Sequence, residues 1–190
     1  MIFRLILCRV KKAGSGRRRF MKETERQSER TLEKSGVLVK LLSENKLKIS
    51  AAESCTGGLL AAMITSVPGA SAVIEGSVVS YSESVKINTV GVPAAVIEKY
   101  GVVSVETARE MANGVRKLFG ADVGVGITGW AGPDIGDDGK PAGTVCIAVC
   151  MKDGGVADEF HFDGDRLGVR FAAVEKAKEL AADMIRRLNQ

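Results

Sequence analysis

KISAAESCTGGLLAAMITSVPG, from Lys48 to Gly69, decides the fold of this chain. Lys48 to Ala52 has the length and apolar content of a short strand. Leu59, Leu60, Met63 and Ile64 then recur at helical spacing until Pro68-Gly69 stops the pattern. Between them lies the polar corner ESCTGG, Glu53 to Gly58, with the helix predicted to open near Thr56. A strand, a tight corner and a helix form the unit from which α/β sheets are built, and binding sites gather at such corners.

Working outward, Lys22 to Asn45 is rich in Glu, Lys, Arg and Leu and predicts a helix. Val73 to Tyr81 predicts a strand, and Glu83 to Val90 and Pro93 to Tyr100 predict short helices. Ser104 caps a longer helix with Glu106 in its first turn, Ala108, Met111, Ala112, Val115 and Leu118 along one stripe, and Gly120 at its end. Ala121 to Thr128 and Thr144 to Met151 are apolar runs of strand length. Lys152-Asp153-Gly154-Gly155 signals a hairpin, with Val156 to Phe162 as its return strand. A last helix is expected from Asp165 to Leu188. Strands alternating with helices, followed by an antiparallel hairpin, predict an α/β fold: a three-layer α/β/α sandwich with a mixed sheet.

The 190 residues fit one domain, and 45% hydrophobic content with 5% aromatic implies a core of Val, Ile, Leu and Ala. The formal charge of +4 averages two unlike parts. Residues 1–22 hold eight Lys or Arg and no Asp or Glu, which leaves 19 basic against 23 acidic residues in 23–190. The body is mildly acidic, so nucleic acid is not an expected partner except through the basic N-terminal arm. We read residues 1–22 as a disordered basic extension, or as an over-long start ahead of Met21, and residues 23–190 as a single domain. Met1 to Val10 is broken by Arg4 and Arg9 and is too short for a membrane span or signal-peptide core, so no membrane partner is expected.

Cys8, Cys55, Cys146 and Cys150 do not fall at metal-finger spacing, and His161 is the only histidine, so no metal site is expected. Free thiols in a reducing cytoplasm follow, with Cys146 and Cys150 on one face of their strand.

Three runs carry chemistry. In AESCTGG (Ala52 to Gly58), the Ser54 hydroxyl is a candidate nucleophile, and the amides of Thr56, Gly57 and Gly58 at the expected helix start suit an oxyanion or a phosphate. The plainer alternative is that Ser54 and Thr56 only cap the helix. Cys55 is a rival nucleophile, ranked below Ser54 because only His161 is available to pair with it. In SYSESVK (Ser80 to Lys86), Tyr81 and Lys86 face one cleft if the chain turns at Ser82 to Ser84. To accept a serine proton Lys86 must be neutral, its pKa held well below about 10.4 by burial or by nearby positive charge. A solvated Lys86 and a packed Tyr81 are the alternative. GITGWAGP (Gly126 to Pro133) opens a glycine-rich loop that either approaches a ligand closely or serves as a mobile connector. Trp130 stacks on a flat ring if exposed and joins the core if packed inward. Asp165, Arg166 and Arg170 open the last helix, where an arginine holds a phosphate or a surface ion pair.

Taken in order with GVPAAVIEKYGVVS (Gly91 to Ser104), KPAGTV (Lys140 to Val145) and FDGDR (Phe162 to Arg166), these runs resemble the CinA C-terminal-domain family over roughly Leu32 to Leu188. The resemblance implies an amidohydrolase that cleaves nicotinamide mononucleotide (NMN) to nicotinate mononucleotide and ammonia in pyridine nucleotide salvage. By the same resemblance, Ser54 is the nucleophile, Tyr81 and Lys86 assist it, and no cofactor is needed. It further implies substrate binding by Glu53, Thr56, Gly57 and Gly58 in the first run, by Thr128, Gly129, Ala131 and Gly132 in the third, and by Arg166 or Arg170 at the phosphate. The implied partner is a small-molecule pyridine nucleotide, and a homo-oligomer is compatible with it. Multi-domain members carry a large N-terminal domain that this chain is expected to lack. Trp130 and Ile135 depart from the family pattern, which is smaller and aliphatic at the first position and richer in glycine around the second. A catalytically silent nucleotide-binding or regulatory module, linked to competence and DNA damage, is the alternative.

Overall fold

Residues 33–188 are described in the computed structural model of the chain. The expected basic extension over residues 1–22 and the start of the first helix lie outside the described residues. The elements run α1 (residues 33–44 of it described), β1 (Ile49–Glu53), α2 (Leu59–Thr65), a 3-10 turn (Ala70–Ala72), β2 (Ile74–Val79), α3 (Glu83–Asn88), α4 (Ala94–Tyr100) and α5 (Val105–Phe119). They continue with β3 (Val123–Gly129), β4 (Thr144–Met151), β5 (Gly154–His161) and α6 (Arg166–Arg187).

The five strands form one sheet in the order β2-β1-β3-β4-β5. β1 pairs in parallel with β2 and with β3, and β3-β4 and β4-β5 are antiparallel, so the sheet is mixed as the sequence predicts. Its two faces differ in side-chain size. Ile49, Ala51, Val123, Val125, Ile127, Val145, Ile147 and Val149 face one way and form the main core with Leu38 and Leu42 of α1, Leu60 and Ile64 of α2, and Val174 and Ile185 of α6. The other face carries Ala52, Cys146, Ala148 and Cys150, packed under α4 and α5. Helices on both faces make the three-layer α/β/α sandwich.

The small residues on the second face have a steric cause. A Cβ added to Gly124 would lie 2.0 Å from the Ala112 carbonyl oxygen, and one on Gly126 would lie 2.1 Å from that of Ala108. The α5 backbone therefore rests directly on β3, an approach that only glycine permits. The alternation Val-Gly-Val-Gly in β3 is thus large residues toward one helix layer and none toward the other.

Two boundaries differ from the sequence reading. Gly57 and Gly58 both take left-handed φ values, 59° and 88°, so the corner turns first and α2 begins at Leu59 rather than near Thr56. β5 begins at Gly154, paired with Met151, so the hairpin turn is Lys152-Asp153 alone, where the sequence signal covered four residues. Ser104 caps α5 as expected, its Oγ accepting from Thr107 N at 3.1 Å, and Gly120 ends that helix in a left-handed conformation.

Candidate active site

The corner after β1 is held at the carboxyl ends of three strands. Ser54 N donates to Ile127 O at the end of β3 (2.9 Å), and Ser80 N, just past β2, donates to Glu53 O (2.8 Å). The Glu53 side chain is fully buried, with Oε2 accepting from Leu60 N and Oε1 from Ala61 N, each at 3.0 Å. Glu53 therefore caps the N-terminus of α2 from the preceding strand, satisfying two orphan amides and placing a negative charge at the positive end of the helix. Each of its oxygens thus has a structural partner in α2. Arg170 Nη2 donates to Thr56 O at 2.8 Å, fastening the corner to α6, and Gly57 N donates to Ser54 O at 3.0 Å.

Lys86 reaches this corner from α3. Ser82 Oγ accepts from Val85 N at 3.3 Å and starts that short helix, which turns Lys86 inward until it is only 2% exposed. Its Nζ lies 3.0 Å from Ser54 Oγ, 2.7 Å from Ser80 O and 3.3 Å from Tyr81 O. A neutral amine has two N–H groups and one lone pair, so donating to both carbonyls leaves the lone pair for the Ser54 hydroxyl. Burial, which disfavours the ammonium, moves the Lys86 pKa below its ordinary value, against smaller upward pulls from Cys55 and Glu83. Ser54 is itself buried, at 8% exposure.

The pair opens into a cavity of about 390 Å³. Of the residues singled out in the sequence, Ser54, Tyr81, Lys86, Thr128, Gly129, Ala131, Gly132 and Arg166 line it. Glu53, Thr56, Gly57, Gly58 and Arg170 do not, being occupied in building the corner. Tyr81 is 62% exposed at the mouth, where its hydroxyl accepts from Arg166 Nη2 at 3.1 Å; no hydrogen bond joins that hydroxyl to Ser54 or Lys86. Arg166 Nη1 also donates to Gly132 O at 2.7 Å, so this arginine ties the rim of the cavity together. Thr128 spends its hydroxyl proton on Val102 O at 2.7 Å, which holds the α4-α5 connection against the cavity wall.

Cys55 also lines the cavity, but burial pushes its thiol up to about 12, so the thiolate needed for attack is scarce. The backbone amides of Ala131 and Gly132, two residues of the cavity lining, donate no hydrogen bond among the described residues. Of the Thr56 to Gly58 amides expected from the sequence, that of Gly57 donates to Ser54 O, and none of the three residues lines the cavity. Among the described residues no group of His, Cys, Asp or Glu is arranged to hold a metal ion.

Trp130 takes an intermediate position between the two sequence readings. Its indole lines the cavity while Gly136 covers it so closely that an added Cβ would lie 2.3 Å from Nε1. Sequence reasoning missed Glu83, Asp134, Asp137, Val102 and Val103 as cavity residues. The three acids stand inside or beside the quoted runs and were legible as charge; the two valines carry no chemical signal. Lys140, also unassigned, anchors the glycine-rich loop by donating to Val103 O (2.9 Å) and to Glu159 Oε2 (2.5 Å).

The family model of the CinA C-terminal domain matches residues 31–185. The chain belongs to the CinA C-terminal-domain family. A CinA-like protein of Fervidobacterium nodosum is 44% identical to it over 151 residues, which is 80% of this chain and 36% of that protein. A CinA-like protein of Gemmatimonas aurantiaca is 44% identical over 141 residues, 74% of this chain and 32% of that one. The chain thus spans about a third of the length of these curated relatives. The crystal structure of a competence-damaged protein (CinA) superfamily protein from Klebsiella pneumoniae superposes with a TM-score of 0.81 at 32% identity, covering 83% of this chain and 98% of that one. The competence/damage inducible protein CihA from Agrobacterium tumefaciens gives 0.77 at 34% identity, covering 84% and 96%. The α/β fold is thus that of CinA superfamily structures, several of which are nearly the size of this domain. No helix among the described residues is long and apolar enough to cross a membrane.

Proposed function

We propose that this CinA-family chain is an amidohydrolase that cleaves the carboxamide of NMN to nicotinate mononucleotide and ammonia through an acyl-enzyme on Ser54, within the cytoplasmic pyridine nucleotide pool. The observation that carries this reading is the 3.0 Å contact between Lys86 Nζ and Ser54 Oγ at the base of a cavity, with the amine biased toward its neutral form by burial.

As Ser54 Oγ attacks the carboxamide carbon, its proton passes to the Lys86 lone pair. The carbonyl oxygen becomes an oxyanion, for which the unpartnered amides of Ala131 and Gly132 in the cavity lining are the donors. Collapse of the tetrahedral adduct breaks the C–N bond, and the proton held on Lys86 goes to the leaving nitrogen to give ammonia. Water then attacks the ester with Lys86 again as base, releasing the acid and restoring Ser54. Lys86 acts directly in this scheme, because the Tyr81 hydroxyl is bound to Arg166 rather than to Ser54 or Lys86. Arg166 is the better placed of the two arginines for the substrate phosphate, since it lines the cavity and Arg170 does not.

Incubating the chain with NMN and measuring ammonia, beside Ser54→Ala, tests the proposal. Release by the wild type and none by the mutant is expected. Undiminished release by Ser54→Ala would remove the serine from its role, and binding of NMN without turnover would favour a silent nucleotide-binding module.

A further inference from the structure

Resting on the amidohydrolase reading, we infer that Lys140 is a positioning residue, which sets substrate affinity by holding the Trp130 indole in the cavity wall. The indole lines the cavity, yet no hydrogen bond fixes it: Nε1 is buried and has no partner among the described residues. Its orientation therefore rests on packing. Gly136 lies so close to Nε1 that an added Cβ would be 2.3 Å away, and the side chain packs onto the apolar cluster that includes Val103. Both supports meet at Lys140. Its backbone oxygen accepts from Gly136 N at 2.9 Å, and its Nζ donates to Val103 O at 2.9 Å. Glu159 Oε2, on β5, holds the same Nζ from the sheet edge. The contacts run from Lys140 to Val103, on to Trp130 and Gly136, and back to Lys140 as a closed circuit.

This circuit governs the indole and not the reacting groups. The Trp130 backbone is fixed separately, its N donating to Thr144 O (2.8 Å) and its O accepting from Gly143 N (2.6 Å). Ser54 is held by Ile127 O, and Lys86 by Ser80 O and Tyr81 O, none of which bonds to Lys140. Without the Lys140 side chain, substrate must order this wall as it binds, and the cost of ordering is taken from affinity. A loss of stability alone would instead reduce the amount of competent enzyme, which lowers kcat at unchanged KM.

The test uses the full chain, in which Trp130 is the only tryptophan and so reports on itself. Lys140→Met should raise KM for NMN about tenfold, the worth of one charge-assisted hydrogen bond, with kcat within about threefold of wild type. Acrylamide quenching of Trp130 fluorescence should rise by about twofold or more as the indole loosens. Gly136→Ala, which pushes the indole off directly, should raise both KM and quenching in the same way. Because the two act through one side chain, the double variant should show a KM within about twofold of the larger single effect. Lys140→Arg, which keeps a long donor for Val103 O, should restore most of the affinity. A fall in kcat at unchanged KM, unchanged quenching in Lys140→Met, or single effects that multiply in the double variant overturns the inference. Gly136→Ala with unchanged quenching overturns it whether or not Lys140→Met folds. No ammonia from the wild type removes the amidohydrolase reading instead, and the quenching of the two single variants then decides the inference.

Discussion

Lys86 Nζ and Ser54 Oγ lie 3.0 Å apart although 32 positions separate them in the chain, and both residues are almost entirely removed from solvent. A lysine so placed is stabilising only as far as its partners compensate it. Replacing it with methionine, of similar length, removes the base while relieving the cost of a buried amine. Lys86→Met should lower kcat for NMN by about 10²–10⁴-fold while shifting the free energy of urea unfolding by less than about 2 kcal/mol, since lost bonds to Ser80 O and Tyr81 O offset that relief. A large loss of stability with activity retained would contradict the assignment.

The pH dependence follows from the direction of the Lys86 shift. Its folded pKa is below the ordinary lysine value of 10.5, so the neutral base is populated at lower pH than for a free lysine, and kcat/KM should rise with pH along a limb centred below 10.5. Stability moves in the same direction. Between the folded and unfolded pKa values the unfolded chain binds more protons, so this residue's contribution to unfolding free energy rises with pH across that window and levels off above 10.5. Rate profiles and denaturant melts at several pH values check both, and Lys86→Met should remove this contribution from each.

Glu53 supports the site from behind. Glu53→Ala leaves the amides of Leu60 and Ala61 without their acceptor inside a buried corner. The expected loss is about 2–3 kcal/mol of stability, with reduced kcat because Ser54 is the next residue. Chemical denaturation beside the ammonia assay measures the two effects.

Gly126→Ala places a methyl 2.1 Å from the Ala108 carbonyl oxygen and 2.7 Å from Ala112 N, where only backbone is available to yield. Separation of α5 from β3 should cost about 3 kcal/mol or more, read as a lowered thermal midpoint. Gly139→Ala, with open space around its Cβ but a left-handed φ of 79°, should cost about 1 kcal/mol.

Cys55 should be dispensable for chemistry. With its thiol pushed up to about 12, it resists alkylation at neutral pH, and Cys55→Ala should retain kcat within several-fold. Rapid inactivation by iodoacetamide that is abolished in this mutant would restore the thiol as a candidate.

Much of the architecture was legible because it is written in local pattern. The apolar run Thr144 to Met151 is β4 to the residue, Ser104 and Gly120 mark the two ends of α5, and Cys146 and Cys150 share a face because strand side chains alternate. The start of α2 was less legible, since Thr56 is a plausible cap by residue type whereas two consecutive left-handed glycines delay the helix to Leu59. The capping role of Glu53 was not legible, because the helix amides its oxygens accept from lie seven and eight positions on and meet it only when the corner folds.

The chain alone determined the layering of the domain and the residue types available for chemistry, because periodicity and turn preference depend on neighbours a few positions away. Only the tertiary structure decided which of those residues meet. The strand order β2-β1-β3 brings the ends of three strands together, setting Ser54 against Ile127 and Ser80, turning Lys86 inward beneath them, and leaving Arg170 at the corner while Arg166 reaches the rim. Desolvation of the Lys86 amine arises from that convergence, which no stretch of sequence contains by itself.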